Sequence, residues 1–285
     1  MKKLINTNEM SWSDLIPDVV STPLKIYKKR HKIQEYWKAF LAKTNLGKTN
    51  ILVLGRSNVG KTVFLDCLNG NANDPFYEKP STSKDSDNEA IKIGDWHSLF
   101  RTAPGQDSLF RDNLLDNAFE NTKELEGIIY IVDWGYTYYG DDNTRRKMIK
   151  EEGINTIEKL RLFNLDDELD DFSKISEMIK KAFRNDKTIK WLLVVLTKAD
   201  LFYSKTELEA AEKYYHPIFD DKFGKLLNDL SAKVGGDRLK IEAIPFCSFP
   251  EDFEWNEEEI KTKIGQKENQ NNLIRNFYSK LKELQ

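Results

Sequence analysis

The chain has 285 residues, with 44 Lys and Arg against 47 Asp and Glu and a formal net charge of -3. That length can bury a large core, and so even a balance of charge gives no support to nucleic-acid binding through one broad basic surface, leaving only a small basic patch for such a role. Two cysteines, Cys67 and Cys247, exclude a disulfide framework; without a membrane-length apolar run or an apolar leader in MKKLINTNEMSW, a cytoplasmic protein is the expectation.

Residues 1–47 read as an N-terminal segment. Thr22-Pro23 predicts a helix start, a capping hydroxyl followed by proline at the first helical position. Ile26, Ile33, Trp37, Phe40 and Leu41 can share one helical face, ringed by Lys25, Lys28, Lys29, Arg30, Lys32, Lys38 and Lys43. Two readings stand: a helix docked through Trp37 and Phe40 with its lysines in water, or a peripheral contact with anionic lipid or an acidic partner.

From residue 48 to 285 the pattern is that of an α/β domain. Ile51–Leu54 predicts a short strand, followed by a glycine-rich loop and a helix carrying Val63, Phe64, Leu65 and Leu68. Residues 69–75 break that helix, and the hydrophilic stretch YEKPSTSKDSDN reads as a loop. Ala90–Ile93 and Trp96–Phe100 predict a hairpin turning at Gly94-Asp95. Ile128–Val132 and Trp191–Leu196 are continuous apolar runs suited to buried parallel strands. Between them, residues of about 140–186 read as a helical insertion, with helices over 145–162 and 172–183 and the acidic run LDDELDD as a solvated linker. Such an insertion would serve as a lid or a partner platform. Helical sequence over 206–232, a strand over 241–246 and a C-terminal helix with Leu273, Ile274, Phe277, Tyr278, Leu281 and Leu284 inward complete the domain.

Gly55-Arg56-Ser57-Asn58-Val59-Gly60-Lys61-Thr62, between an apolar strand and a helix, meets the full context of a phosphate-binding loop. The glycines let the backbone curl so that the amides of Asn58, Val59, Gly60 and Lys61 point inward, and the helix adds its positive end. Lys61 is expected on the β and γ phosphates and the Thr62 hydroxyl on Mg²⁺. This motif does not choose between ATP and GTP.

Thr197-Lys198-Ala199-Asp200, behind a buried strand, supplies the choice. A carboxylate there can accept from guanine N1–H and the exocyclic amine, groups that adenine does not present together. The Lys198 stem can lie along the base, and the Thr197 hydroxyl can tie this loop to the phosphate loop. Cys247 or Ser248, at the end of the last strand, would offer a backbone N–H to guanine O6. Asp200 could alternatively do no more than cap the next helix.

These two motifs resemble those of the translation-factor-related P-loop GTPases, closest to Era-like and ribosome-assembly members, on residues of about 50–250. The resemblance implies a Ras-like, three-layer P-loop fold: a mostly parallel central sheet with one antiparallel edge strand. It implies GTP or GDP with Mg²⁺, Gly105 sensing the γ phosphate, and Thr82 of a mobile loop reaching the metal, with Ser81 and Ser83 as competitors. Here the family's D-x-x-G motif reads Thr102-Ala103-Pro104-Gly105, so the residue that would hold the metal's water lacks charge. Gln106 follows the glycine and could orient the attacking water. Asp133, ending IIYIVD, takes a structural role in that family, although an acid so placed binds Mg²⁺ in other P-loop proteins. The expected activity is a slow GTPase switch in which Lys61 and Gln106 assist hydrolysis and a protein effector or a homo- or heterodimer partner engages. The alternatives are a GTP-binding scaffold with little hydrolysis, or an ATPase or kinase that uses Asp133.

Overall fold

Ile51–Leu54 (β1) is apolar at every position because both of its faces are covered. The computed structural model describes residues 51–68, 88–93, 96–102, 119, 125–185 and 189–284. All of these lie in the unit Lys48–Gln285. The N-terminal helix, Ser81, Thr82, Ser83, the Gly94-Asp95 turn, Gly105 and Gln106 lie outside the described residues.

After β1 come helix α1 (Lys61–Leu68) and the strands β2 (Asn88–Ile93), β3 (Trp96–Thr102) and β4 (Gly127–Val132). Helices α2 (Asp142–Lys150) and α3 (Ile157–Arg184) precede β5 (Trp191–Leu196). Then follow α4 (Lys205–Tyr214), α5 (Lys222–Val234), β6 (Lys240–Pro245), the short strands β7 (Phe253–Trp255) and β8 (Glu258–Ile260), and α6 (Lys267–Leu284). The main sheet runs in the order β2-β3-β1-β4-β5-β6. Only β2 within it is antiparallel, pairing with β3 from Asn88↔Arg101 to Ile93↔Trp96, the register of the expected hairpin.

Strand periodicity sends alternate residues to opposite faces. Leu52, Leu54, Ile128, Tyr130, Val132, Leu192, Val194 and Leu196 meet α2 to α5. Ile51, Val53, Ile129, Ile131, Leu193 and Val195 meet α1 and α6, where Phe64, Phe246 and Phe277 form an edge-to-face cluster with centroids 4.9–5.3 Å apart. The result is a three-layer α/β sandwich with a mostly parallel sheet.

The segment between β4 and β5 differs from its expected pattern. Gly153, at φ 71°, separates α2 from α3, and Thr156 caps α3 by accepting from the Lys159 amide. From Ile157 to Arg184 there is no glycine or proline, and α3 runs unbroken for 28 residues. It contains the acidic run rather than ending at it. Leu160, Phe172, Ile175 and Ile179 lie against the sheet, so α3 is the crossover helix between two parallel strands.

This orientation is checkable by denaturant unfolding. Phe172→Ala removes a fully buried ring and should cost about 3–5 kcal/mol. Leu162→Ala, on the outer face of the same helix, should change stability by about 0.5 kcal/mol or less.

Candidate nucleotide-binding site

Two loops converge at the C-terminal end of the sheet. The first is the glycine-rich loop after β1. Gly55 takes φ 141°, and a Cβ there would overlap the Ile131 carbonyl, so this close pass against β4 requires glycine. Asn58 is left-handed at φ 64° and exposed; Val59 is buried beneath the loop. The buried Lys61 turns its ammonium into the loop and donates to the carbonyls of Gly55 at 2.9 Å and Arg56 at 2.6 Å. Thr62 is half-buried in the first turn of α1.

The second loop follows β5. The Thr197 hydroxyl lies 2.7 Å from the Val59 carbonyl and 3.0 Å from the Val132 carbonyl, so its one proton serves either. It therefore joins the phosphate loop to the ends of β4 and β5, as the sequence leads one to expect. Lys198 is left-handed at φ 55°. Its ammonium donates to Asp133 Oδ2 at 2.8 Å and to the Tyr136 carbonyl, and reaches to 3.5 Å from the Asn58 carbonyl.

Asp200 stands two residues on, only 1 % exposed. Cys247 Sγ donates to Oδ1 at 3.4 Å and the Glu251 amide to Oδ2 at 3.0 Å. Burial raises the Asp200 carboxyl from 3.8 to about 6, against the lowering by its hydrogen-bond donors and Lys198. Cys247 thus reaches Asp200 through its side chain, and burial pushes its thiol far above the ordinary range, which makes it an inert donor. Ser248 is buried beside it, its carbonyl accepting from Gln270 of α6 at 2.9 Å.

Asp133 is fully buried with both oxygens engaged: Oδ2 by Lys198, Oδ1 by the Thr137 hydroxyl at 3.0 Å. That arrangement is structural. Among the described residues no cluster of three His, Cys, Asp or Glu side chains could hold a metal ion. Thr102 ends β3 opposite Val53, next to the start of the loop that follows β1.

The sequence reading missed two parts of this site. The first is α3. Asp167 pairs with Arg56 of the phosphate loop at 2.5 Å, and the Asn164 carbonyl accepts from the same guanidinium at 3.2 Å. Glu168 accepts from the Asp133 amide at 3.2 Å and from the Tyr215 hydroxyl, while Asp171 accepts from the Tyr130 hydroxyl at 2.7 Å. Buried positions 164, 168, 171, 172, 175 and 179 recur at helical spacing, and that is the signal which marks the acidic run as an inward face. The second is the β7–β8 hairpin. It straps over Asp200, whose carbonyl accepts from the Lys263 amide at 2.7 Å, and it reaches the start of α3, where Glu258 accepts from the Ile157 amide at 2.7 Å. Strands of three residues are too short for periodicity to reveal them.

A model of the family described as 50S ribosome-binding GTPase matches residues 50–198. A solved structure titled "The Structure of the Mammalian SRP Receptor" is 17 % identical with a TM-score of 0.37, over 70 % of this chain and 90 % of that one. No curated protein matches the chain.

Asp200 also makes ligand-free stability depend on pH. Its folded value lies above the unfolded one, so its contribution is complete below about pH 4 and is lost as pH rises through about 6. Urea unfolding at about pH 4 and about pH 7 should therefore show a smaller loss for Asp200→Asn than for the wild type, by on the order of 2 kcal/mol.

Proposed function

The chain belongs to the GTPase family described as 50S ribosome-binding GTPase, and we propose that it is a guanine-nucleotide switch of the Era-like, Ras-like kind with slow intrinsic hydrolysis that engages a protein partner. One observation carries this reading. The Thr197 hydroxyl touches the phosphate loop, which sets the carboxylate of Asp200 behind the same cradle that Gly55, Gly60 and Lys61 form. The Asp200 carboxylate is an acceptor of the kind that the N1–H and amine of guanine need. Lys198, fixed by Asp133 and the Tyr136 carbonyl, offers its aliphatic stem to the base plane. The amides of Asn58 to Lys61 and the positive end of α1 suit the phosphates, with the Lys61 ammonium transferring from the loop carbonyls to phosphate oxygens.

A hydroxyl and phosphate oxygens are hard donors of the kind Mg²⁺ takes, and Thr62 in the first turn of α1 is placed to share the ion with a nucleotide. When bound, the ion would supply charge neutralisation at the β and γ oxygens. Slow hydrolysis follows from Thr102, which offers no carboxylate, and from Asp133, whose oxygens are already engaged. The same two observations favour a second reading, a GTP-binding scaffold or regulatory subunit with almost no turnover. Single-turnover hydrolysis with GTP separates the two readings: phosphate release on the scale of active switches rules out the scaffold.

Equilibrium binding tests the base assignment. GTP and GDP should bind at least about a hundredfold more tightly than ATP. Lys61→Ala should abolish retention, and Asp200→Asn should cost about tenfold to a hundredfold in GDP affinity. Because guanine needs the ionised carboxylate, GDP affinity should also fall as pH drops below about 6. Equal affinity for GTP and ATP would refute the role of Asp200.

A further inference from the structure

A buried acid with no part in the reading above lies directly behind Lys198. Glu168 of α3 is 1 % exposed. It faces Asp133 from the loop after β4, Tyr215 from the end of α4 with Tyr214 beside it, and Arg56 from the phosphate loop. On its own helix Asp167 is paired to Arg56, and Asp171, one turn on, is held by Tyr130. Among the described residues no cation is hydrogen-bonded to Glu168. The Lys198 ammonium donates to Asp133 and the Tyr136 carbonyl, and the guanidinium of Arg56 donates to Asp167 and the Asn164 carbonyl while acting on Glu168 through its charge.

We infer that Glu168 and Asp133 form a carboxyl pair holding one proton, and that this pair is the positioning device for Lys198 against the guanine base. The inference rests on the guanine-nucleotide reading. Two carboxylates side by side in a buried site cannot both ionise cheaply, so one keeps a proton. Lys198 and Thr137 both donate to Asp133, so its oxygens face donors and the place for a proton is on the Glu168 side of the pair. Glu168 is the one that keeps the proton: burial first, then the charge of Asp133 and a side-chain hydrogen bond to it, push its carboxyl up to about 8, against the lowering by the Tyr215 hydroxyl and the Asp133 amide. In this state the Lys198, Asp133 and Glu168 trio is neutral. Loss of the proton leaves it with one negative charge and no added partner. The repulsion bears on the short loop over 133–137, which carries both anchors of the Lys198 ammonium, the Asp133 carboxylate and the Tyr136 carbonyl. That loop has no slack. Gly135, at φ 84°, passes so close to α3 that a Cβ would sit 2.7 Å from the Arg161 carbonyl, and the Asn164 amide donates to the Gly135 carbonyl at 2.8 Å. Moving Asp133 away from Glu168 therefore moves the anchors of Lys198, and with them the surface on which the base lies.

The experiment measures GDP affinity of the full chain at about pH 7 and about pH 9. In the wild type it should weaken about three- to tenfold across that window. Glu168→Gln preserves the shape and the neutral state, with its amide donating to Asp133, so its affinity at about pH 9 should stay within about twofold of its value at about pH 7. Ionisation of the guanine ring in alkali acts on both proteins alike, so their difference isolates the pair. Asp133→Asn removes the charge that holds the proton, and the step should move to lower pH. A Glu168→Gln profile parallel to the wild type would overturn the inference and leave the guanine-nucleotide reading intact. Absence of GDP binding at every pH would overturn both. The proton can also be read without nucleotide or mutation: the infrared carboxylic-acid band of the wild type should lose intensity between about pH 7 and about pH 9, and an unchanged band would equally overturn the inference.

Discussion

Asp133 has no exposed surface, and an ionised carboxylate in that position must be matched by a cation and by hydrogen-bond donors. Lys198 supplies the cation at 2.8 Å and Thr137 a donor at 3.0 Å. Breaking a buried pair by removing one member costs on the order of 3–5 kcal/mol, so this contact fixes where Lys198 can be. With Lys198 in place, its neighbours are fixed too. Thr197 falls against the Val59 carbonyl and Asp200 falls under the β7–β8 strap. The geometry of the base-reading loop is thus set from β4, a strand that contributes nothing to base recognition itself.

Helix α3 extends the same logic to the phosphate loop. Consecutive residues Asp167 and Glu168 reach two different loops, the first through Arg56 and the second through the Asp133 amide. Arg161, about two helical turns earlier, lies over the rings of Trp134 and Tyr136 at 4.3 and 4.6 Å, holding the loop after β4 from its other side. The helix is therefore both the crossover that covers the sheet and the brace behind both halves of the site. A 28-residue helix would be an extravagant way to connect two neighbouring strands; it is economical when one helix covers that sheet and holds both loops.

The fold was largely legible in the sequence, since the core strands are written as apolar runs and the glycine-rich loop carries its own context. Thr197, Lys198 and Asp200 were legible because they directly follow such a run. The acidic run was misjudged because composition was weighed there instead of spacing. Four aspartates and a glutamate in seven residues suggest water, yet Glu168 and Asp171 recur with Phe172 and Ile175 on one helical face. What turns them inward is a set of partners distant in sequence: Tyr215, Tyr130 and the Asp133 amide. No local pattern announces those partners. The same holds for Gln270, whose amide holds the Cys247–Ser248 carbonyls from α6, and for the Glu251 amide on Asp200.

The division of labour among the acids bears on why the chain can carry threonine at position 102. In this site the carboxylates that could in principle serve a metal are committed to the protein: Asp133 to Lys198 and Thr137, Asp167 to Arg56, Asp171 to Tyr130. None can be recruited without leaving a buried cation or hydroxyl short of its partner, at a cost comparable to a sizeable part of a domain's stability. In the proposed reading, base recognition and the phosphate cradle draw on backbone amides, Lys61, Lys198 and Asp200, and ask nothing of position 102. In that proposal the two roles share Lys61, but substitution at position 102 removes no atom from the cradle or from the base contact. The proposed slow switch follows from this arrangement: the nucleotide is held by contacts that position 102 does not touch, while hydrolysis lacks the carboxylate that position would otherwise supply.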